Sequence, residues 1–144
     1  MAETQYLRIQ IDQAEYFLPS GTSVAIEKRE ALVPDTSGSI VSAWRQTAAG
    51  RWPAYCVDDE LIPSLRQDWI RAVFVQAQPH PVGIIGDEIQ LVNVDPLDVA
   101  PFTPLGPPAT SAGHLFVGAY VRKDRVSMII NPQALVAYLT ALGG

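Results

Sequence analysis

Apolar and polar residues alternate with period two through most of this chain. Leu7, Ile9 and Ile11 share one face of the run from Tyr6 to Ile11, with Arg8 and Gln10 on the other. That is the pattern of a strand with one buried face. Asp12-Gln13-Ala14 before Tyr16-Phe17-Leu18 predicts a return as a hairpin. Alternation resumes over Val24 and Ile26 and ends at the turn formers from Pro34 to Gly38. Ile40 to Trp44 and Trp52 to Val57 predict another pair, joined by an exposed loop from Gln46 to Gly50. Residues 72–92 carry the strongest pattern. Val73 and Val75 lie opposite Phe74, so this run reads as buried on both faces. Beyond Pro79-His80-Pro81, the residues Val82, Ile84 and Ile85 lead past Gly86 to Ile89, Leu91 and Val92, a strand that bends at a glycine. Gly83 and Gly86 both read as bulges. Leu115 to Val121 and Val126 to Ile130 form the last hairpin, with Arg122-Lys123-Asp124-Arg125 as a solvated tip.

Helical signals are few. Asp58-Asp59-Glu60 followed by Leu61, Leu65 and Trp69 at four-residue spacing predicts a short helix or turn, with the acids at its start. Residues 95–113 carry five prolines and read as a connecting loop. Asn131-Pro132 is a cap followed by a first-turn proline, and Leu135, Val136 and Leu139 give the apolar stripe of a helix over 132–142. The twelve prolines and ten glycines disfavour long helices. The prediction is an all-β chain, one domain over 1–144, with a first small barrel at roughly 6–60 and a second, similar one at roughly 70–131.

Composition narrows the function. With 48% hydrophobic and 17% charged residues, the chain has the make-up of a folded globular protein. A net charge of -5 opposes nucleic-acid binding, which needs clustered Lys and Arg. There is no apolar run of membrane-spanning length and no leader-like amino terminus, so a cytoplasmic location without membrane insertion is expected. The single cysteine, Cys56, excludes an internal disulfide and a cysteine metal cluster. A cysteine nucleophile would need His80 or His114, and neither lies in a motif with Cys56. Asp58, Asp59 and Glu60 lack the alternating ligands and turn glycine of a calcium loop. Asp87 and Glu88 are adjacent in a strand and point to opposite faces, which does not suit acid-base work on one atom. Trp44, Trp52 and Trp69 could stack bases, but aromatic residues beside Arg45 and Arg51 fit a protein interface better. No catalytic, cofactor or metal site is expected.

One resemblance covers nearly the whole chain. Tyr6-Leu7-Arg8-Ile9, Glu15-Tyr16-Phe17-Leu18-Pro19, Ala43-Trp44-Arg45, Trp52-Pro53-Ala54-Tyr55, the segment from Pro81 to Ile89, Phe116 to Tyr120 and Asn131-Pro132-Gln133-Ala134-Leu135 stand in an order that resembles CheW-like domains. The resemblance implies two SH3-like five-stranded β-barrels packed on a shared core with a C-terminal helix. It implies no enzyme, but an adaptor joining a methyl-accepting chemoreceptor, or another adaptor, to the regulatory domain of a CheA-type histidine kinase in chemotaxis or type IV pilus twitching motility. On it, Arg45 and Trp44 form one contact surface, with Val24 and Ile26 as further contacts. The departures gather here too: Gln46 stands where the family has glycine, and Asp35 to Ser39 replace a short helix. The alternative is a β-barrel that binds a small ligand or regulates another system.

Overall fold

Along β1 (Thr4–Ile11), Leu7, Ile9 and Ile11 turn to a buried face while Arg8 and Gln10 turn to the opposite one, as their alternation requires. The computed structural model describes residues 4–38, 40–64, 68–77, 80–101 and 115–143. β1 pairs antiparallel with β2 (Ala14–Pro19) from Ile11 opposite Ala14, and Asp12 makes the turn with φ 51°, a left-handed backbone that aspartate tolerates. The remaining strands are β3 (Ser23–Lys28), β4 (Val33–Pro34), β5 (Val41–Thr47), β6 (Gly50–Cys56), β7 (Arg71–Val75), β8 (Val82–Gly86), β9 (Glu88–Val94), β10 (Val99–Pro101), β11 (Phe116–Arg122) and β12 (Arg125–Ile130), followed by helix α1 (Pro132–Gly143).

These strands form two six-stranded sheets, in the orders β10-β11-β12-β2-β1-β9 and β3-β7-β8-β6-β5-β4. In both, the two edge strands are consecutive in the chain. β3 passes through the 3-10 turn Arg29–Ala31 into β4, and β9 passes through Pro96–Asp98 into β10. Each sheet therefore curls on itself as an SH3-like barrel of five full strands and one short one. The parallel pairs β6·β8 and β12·β2 hold the same place in each.

The barrels are not the two sequence halves. The hairpin β7-β8 completes the barrel of β3 to β6, and the hairpin β1-β2 completes that of β9 to β12. The expected division at 6–60 and 70–131 is corrected accordingly. Period-two patterning identifies strands and their buried faces, whereas the partner of a parallel strand is far away in sequence.

The bend at Gly86 is where the chain changes barrels. β8 ends there in one sheet, Asp87 donates its N–H to the Gln10 carbonyl (2.7 Å), and β9 opens in the other sheet. A Cβ on Gly86 would lie 2.7 Å from Ile9 Cγ2, so the crossing needs glycine. Gly83 is not a bulge, since β7 and β8 keep an unbroken register across it. It faces Phe74, where a Cβ would lie 2.7 Å from the ring.

Three clusters fill the interior. Leu7, Ile9, Leu18, Tyr55, Val73, Ile84 and Ile130, with Leu135 and Leu139 of α1, form the core shared between the sheets. Ala54, Cys56, Phe74 and Ile85 fill the barrel of β3 to β8, and Phe17, Val94 and Ile129 fill the other. α1 starts as expected: the Asn131 Oδ1 accepts from the N–H groups of Gln133 (3.2 Å) and Ala134 (3.3 Å). Asn131→Ala should cost about 1 kcal/mol in urea unfolding, the usual value of an N-cap.

Other expectations change. After Asp58, of the two forms expected, a short helix or a turn, the chain takes the turn, and the acids do not open a helix. The Asp58 Oδ1 accepts from the N–H groups of Glu60 (2.9 Å) and Ile62 (3.0 Å), and Leu61 takes φ 63°. Leu65 lies outside the described residues. The loop between β5 and β6 shrinks to two residues because Thr47 and Gly50 continue the ladder. The proline-rich connection holds a 3-10 turn capped by Asp95 and the short β10. Its residues 102–114 lie outside those described.

Candidate interaction surface

β5 and β6 place Trp44 and Arg45 on opposite faces of one sheet. Arg45 opposes Trp52 on the face that lines the barrel, and its guanidinium lies over the Trp52 ring at 4.8 Å. Its Nε is 3.9 Å from Glu27 Oε1 on β3, so one ion pair spans the gap between strands near the two edges of the curled sheet. That Nε is buried and makes no hydrogen bond, so Arg45 is held by stacking more than by its carboxylate partner.

Trp44 packs against the core between the sheets, its Nε1–H donates to Asp35 Oδ1 (2.8 Å), and Arg51 covers its ring at 4.0 Å. The two residues expected to share one contact surface thus lie on opposite faces of the sheet. Val24 and Ile26 are the exposed alternates of β3, each 45% accessible. β3 pairs with β7 on one side only, so its other edge has no strand partner among the described residues. The ion pair from Glu27 ties Arg45 to this edge strand; among the described residues no ion pair or hydrogen bond ties Trp44 to it.

The rival chemistries find little support in geometry. Cys56 is buried among Ala54, Phe74 and Ile85. His80 Nδ1 lies 3.0 Å from the Pro81 carbonyl oxygen, and His114 lies outside the described residues. Asp87 Oδ2 accepts the Asp12 N–H (2.7 Å), and Glu88 pairs with Arg8 (3.2 Å). Each tryptophan ring is covered by an arginine, Trp69 by Arg29 at 5.4 Å, which leaves these faces less open to a nucleobase. Among the described residues no group of three His, Cys, Asp or Glu could hold a metal, and no helix is long and apolar enough to cross a membrane.

The sequence pattern misses one cluster. Glu15 on β2 accepts from Arg8 Nε (3.0 Å) and Arg122 Nη2 (2.8 Å), lies 3.6 Å from Arg125, and accepts from the buried Ser127 hydroxyl (3.1 Å), which Arg122 also reaches. Burial alone would raise this carboxyl's pKa, but hydrogen bonds from Arg122 and Arg8 overcome it and hold it below the ordinary value. Arg122 also lies over Tyr120 (4.5 Å) and Phe17 (5.5 Å). The tip read as solvated therefore keeps Lys123 and Asp124 exposed while Arg122 turns in over Phe17 and Tyr120.

The scaffolding protein TtCheW from Thermoanaerobacter tengcongensis matches this structure with a TM-score of 0.70, over 94% of this chain and 92% of that one, at 15% sequence identity. The fold is CheW-like. That agrees with the order of motifs from Tyr6 to Leu135 and with two SH3-like barrels around a shared core. No family model matches the chain, and no curated protein does either. Within the CheW-like fold, Arg45 and Trp44 sit on the barrel of β3 to β8 and the Glu15 cluster on the other.

Proposed function

We propose that this chain is a non-enzymatic cytoplasmic adaptor that couples a chemoreceptor to a CheA-type histidine kinase, in chemotaxis or in type IV pilus twitching motility. The observation that carries the reading is the match to a scaffolding protein over 94% of the chain. Such a protein works by binding alone: one surface holds the kinase's regulatory domain, another the receptor or a second adaptor, and the rigid shared core fixes their geometry. Arg45, on the barrel-lining face with Glu27, is one candidate contact; Val24 and Ile26, exposed on the other face of the edge strand, and Trp44, on the opposite face of β5 from Arg45, are the others.

The test is a pair of substitutions. Arg45→Glu removes the cation and sets a carboxylate beside Glu27, whereas Arg45→Lys keeps the charge and loses the flat stack on Trp52. Receptor-fragment binding should fall about tenfold or more with Arg45→Glu, the size of one interface anchor, and less with Arg45→Lys. Unchanged binding by both variants would remove Arg45 from the interface.

One feature favours a second reading, a ligand-binding module. Gln76, Ala77, Gln133, Val136, Ala137, Thr140 and Ala141 line an open groove of about 680 Å³. A small molecule that co-purifies with the chain and is displaced by Ala137→Trp would favour it.

A further inference from the structure

We infer that the β3 edge docks an acidic, extended segment of a partner protein, a reading that rests on the chain's being a protein-binding scaffold and names the chemistry of one partner. β3 presents Val24, Ile26 and Lys28 as successive exposed alternates. In the β3·β7 ladder Lys28 stands directly opposite Arg71, also exposed. Like charges opposed across strands are destabilising. Neither is in an ion pair with a described residue.

Of the nearby acids, Glu27, Asp87 and Glu88 are engaged elsewhere, and Asp68, just before β7, is not without a partner either. Glu27 projects to the other face and pairs with Arg45. Asp87 and Glu88 share a cleft with Ile70 and Arg71, but they serve the Asp12 N–H and Arg8. Glu30, exposed in the turn after β3, is the remaining acid on this segment.

The second barrel supplies an internal comparison. Its corresponding ladder, β9·β1, closes on Thr4 opposite Val94, so the architecture does not call for two cations at this position. An edge lysine alone could be a guard against strand pairing with other chains, but that does not account for a second cation facing it.

An extended segment suits the site because an open strand edge offers backbone hydrogen bonds and its exposed alternates seat side chains at period two. Val24 and Ile26 would take apolar residues of the partner, and Lys28 and Arg71 its carboxylates. In a chain of net charge -5, a basic rim around exposed apolar residues selects acidic partners and speeds their encounter.

A random-peptide phage library selected on the intact chain tests this. Enriched peptides should place Asp or Glu beside alternating apolar residues. The double variant Lys28→Glu/Arg71→Glu should bind them at least tenfold more weakly, and added salt should weaken wild-type binding. The double reversal retains the same repulsion across the ladder, so its melting temperature should match wild type, while Lys28→Glu alone should melt at or above it. Peptides without acidic enrichment, or bound equally by the double variant, would overturn the inference. So would concentration-dependent self-association abolished by the same variant, which would make a second copy the occupant. Acidic peptides selected by a chain that binds no kinase would uphold this inference and sink the adaptor reading. Kinase binding indifferent to the double variant, with no acidic selection, would do the reverse.

Discussion

Phe74→Ala is expected to lower the unfolding free energy by about 3–5 kcal/mol, the largest effect of any substitution considered, because a fully buried ring leaves a cavity that a curled sheet closes poorly. Phe74 is fully buried, and the strand opposite is cut away to admit it at Gly83. The consequence reaches the candidate surface. Trp52 tilts over Phe74 with 6.0 Å between ring centroids, and Arg45 lies on Trp52. Removing the lower ring takes away the support of the stack, so receptor-fragment binding should weaken even at temperatures where the variant is fully folded. Gly83→Ala approaches the same contact from the other side: its Cβ would press on Phe74, at a cost of about 1–3 kcal/mol for overpacking. Chemical denaturation of both variants, with binding measured well below their melting temperatures, checks the two effects separately.

Glu15→Ala is expected to cost about 2–3 kcal/mol at neutral pH, since it leaves Arg122 and the buried Ser127 hydroxyl without their carboxylate acceptor and Arg8 with Glu88, Gln90 and Gln10 as its remaining acceptors. The Glu15 side chain is only 9% accessible and gathers groups from three other strands, β1, β11 and β12, so it holds the β9-to-β12 barrel to its inserted hairpin. The pH dependence follows from the direction of its shift. A carboxyl held below its ordinary value of 4.5 contributes fully above that pH and loses its contribution as the pH falls through the depressed folded-state value. The wild type should therefore lose stability below about pH 4.5, where an unshifted glutamate is already half protonated. Glu15→Ala should show a flatter acid limb. Glu15→Gln, which keeps an acceptor oxygen, should lie between the two. Urea unfolding at neutral pH and at pH 3 distinguishes the three proteins, and equal acid slopes would contradict the role given to this carboxylate.

The strands were legible because their residues alternate, and the shared core was legible because Leu7, Ile9, Val73 and Ile84 are apolar on matching faces. Which hairpin completes which barrel was not. Pairings such as Ala54 with Gly83 and Met128 with Tyr16 join strands far apart in the chain, and nothing local to either strand marks its partner. Gly83 shows the same limit: its use is defined by Phe74 on the neighbouring strand. The Glu15 cluster was half legible. Arg8 and Glu15 are brought close by a hairpin whose tight turn the sequence signals, but Arg122 is 107 residues from Glu15 and carried the signature of an exposed tip. At the candidate surface, sequence adjacency misled. Trp44 and Arg45 look like one patch in a string of letters, and a strand turns them to opposite faces. Val24 and Ile26 are where their alternation puts them, exposed on an edge.

The most direct measurement of the central claim is receptor-dependent phosphorylation by a CheA-type kinase, reconstituted with and without this chain. As an adaptor, the chain should be required for the receptor to change the kinase's rate, and Arg45→Glu should abolish that control while leaving the kinase's basal rate intact. A receptor that controls the kinase equally well without the chain, with neither partner binding it, would contradict the adaptor reading.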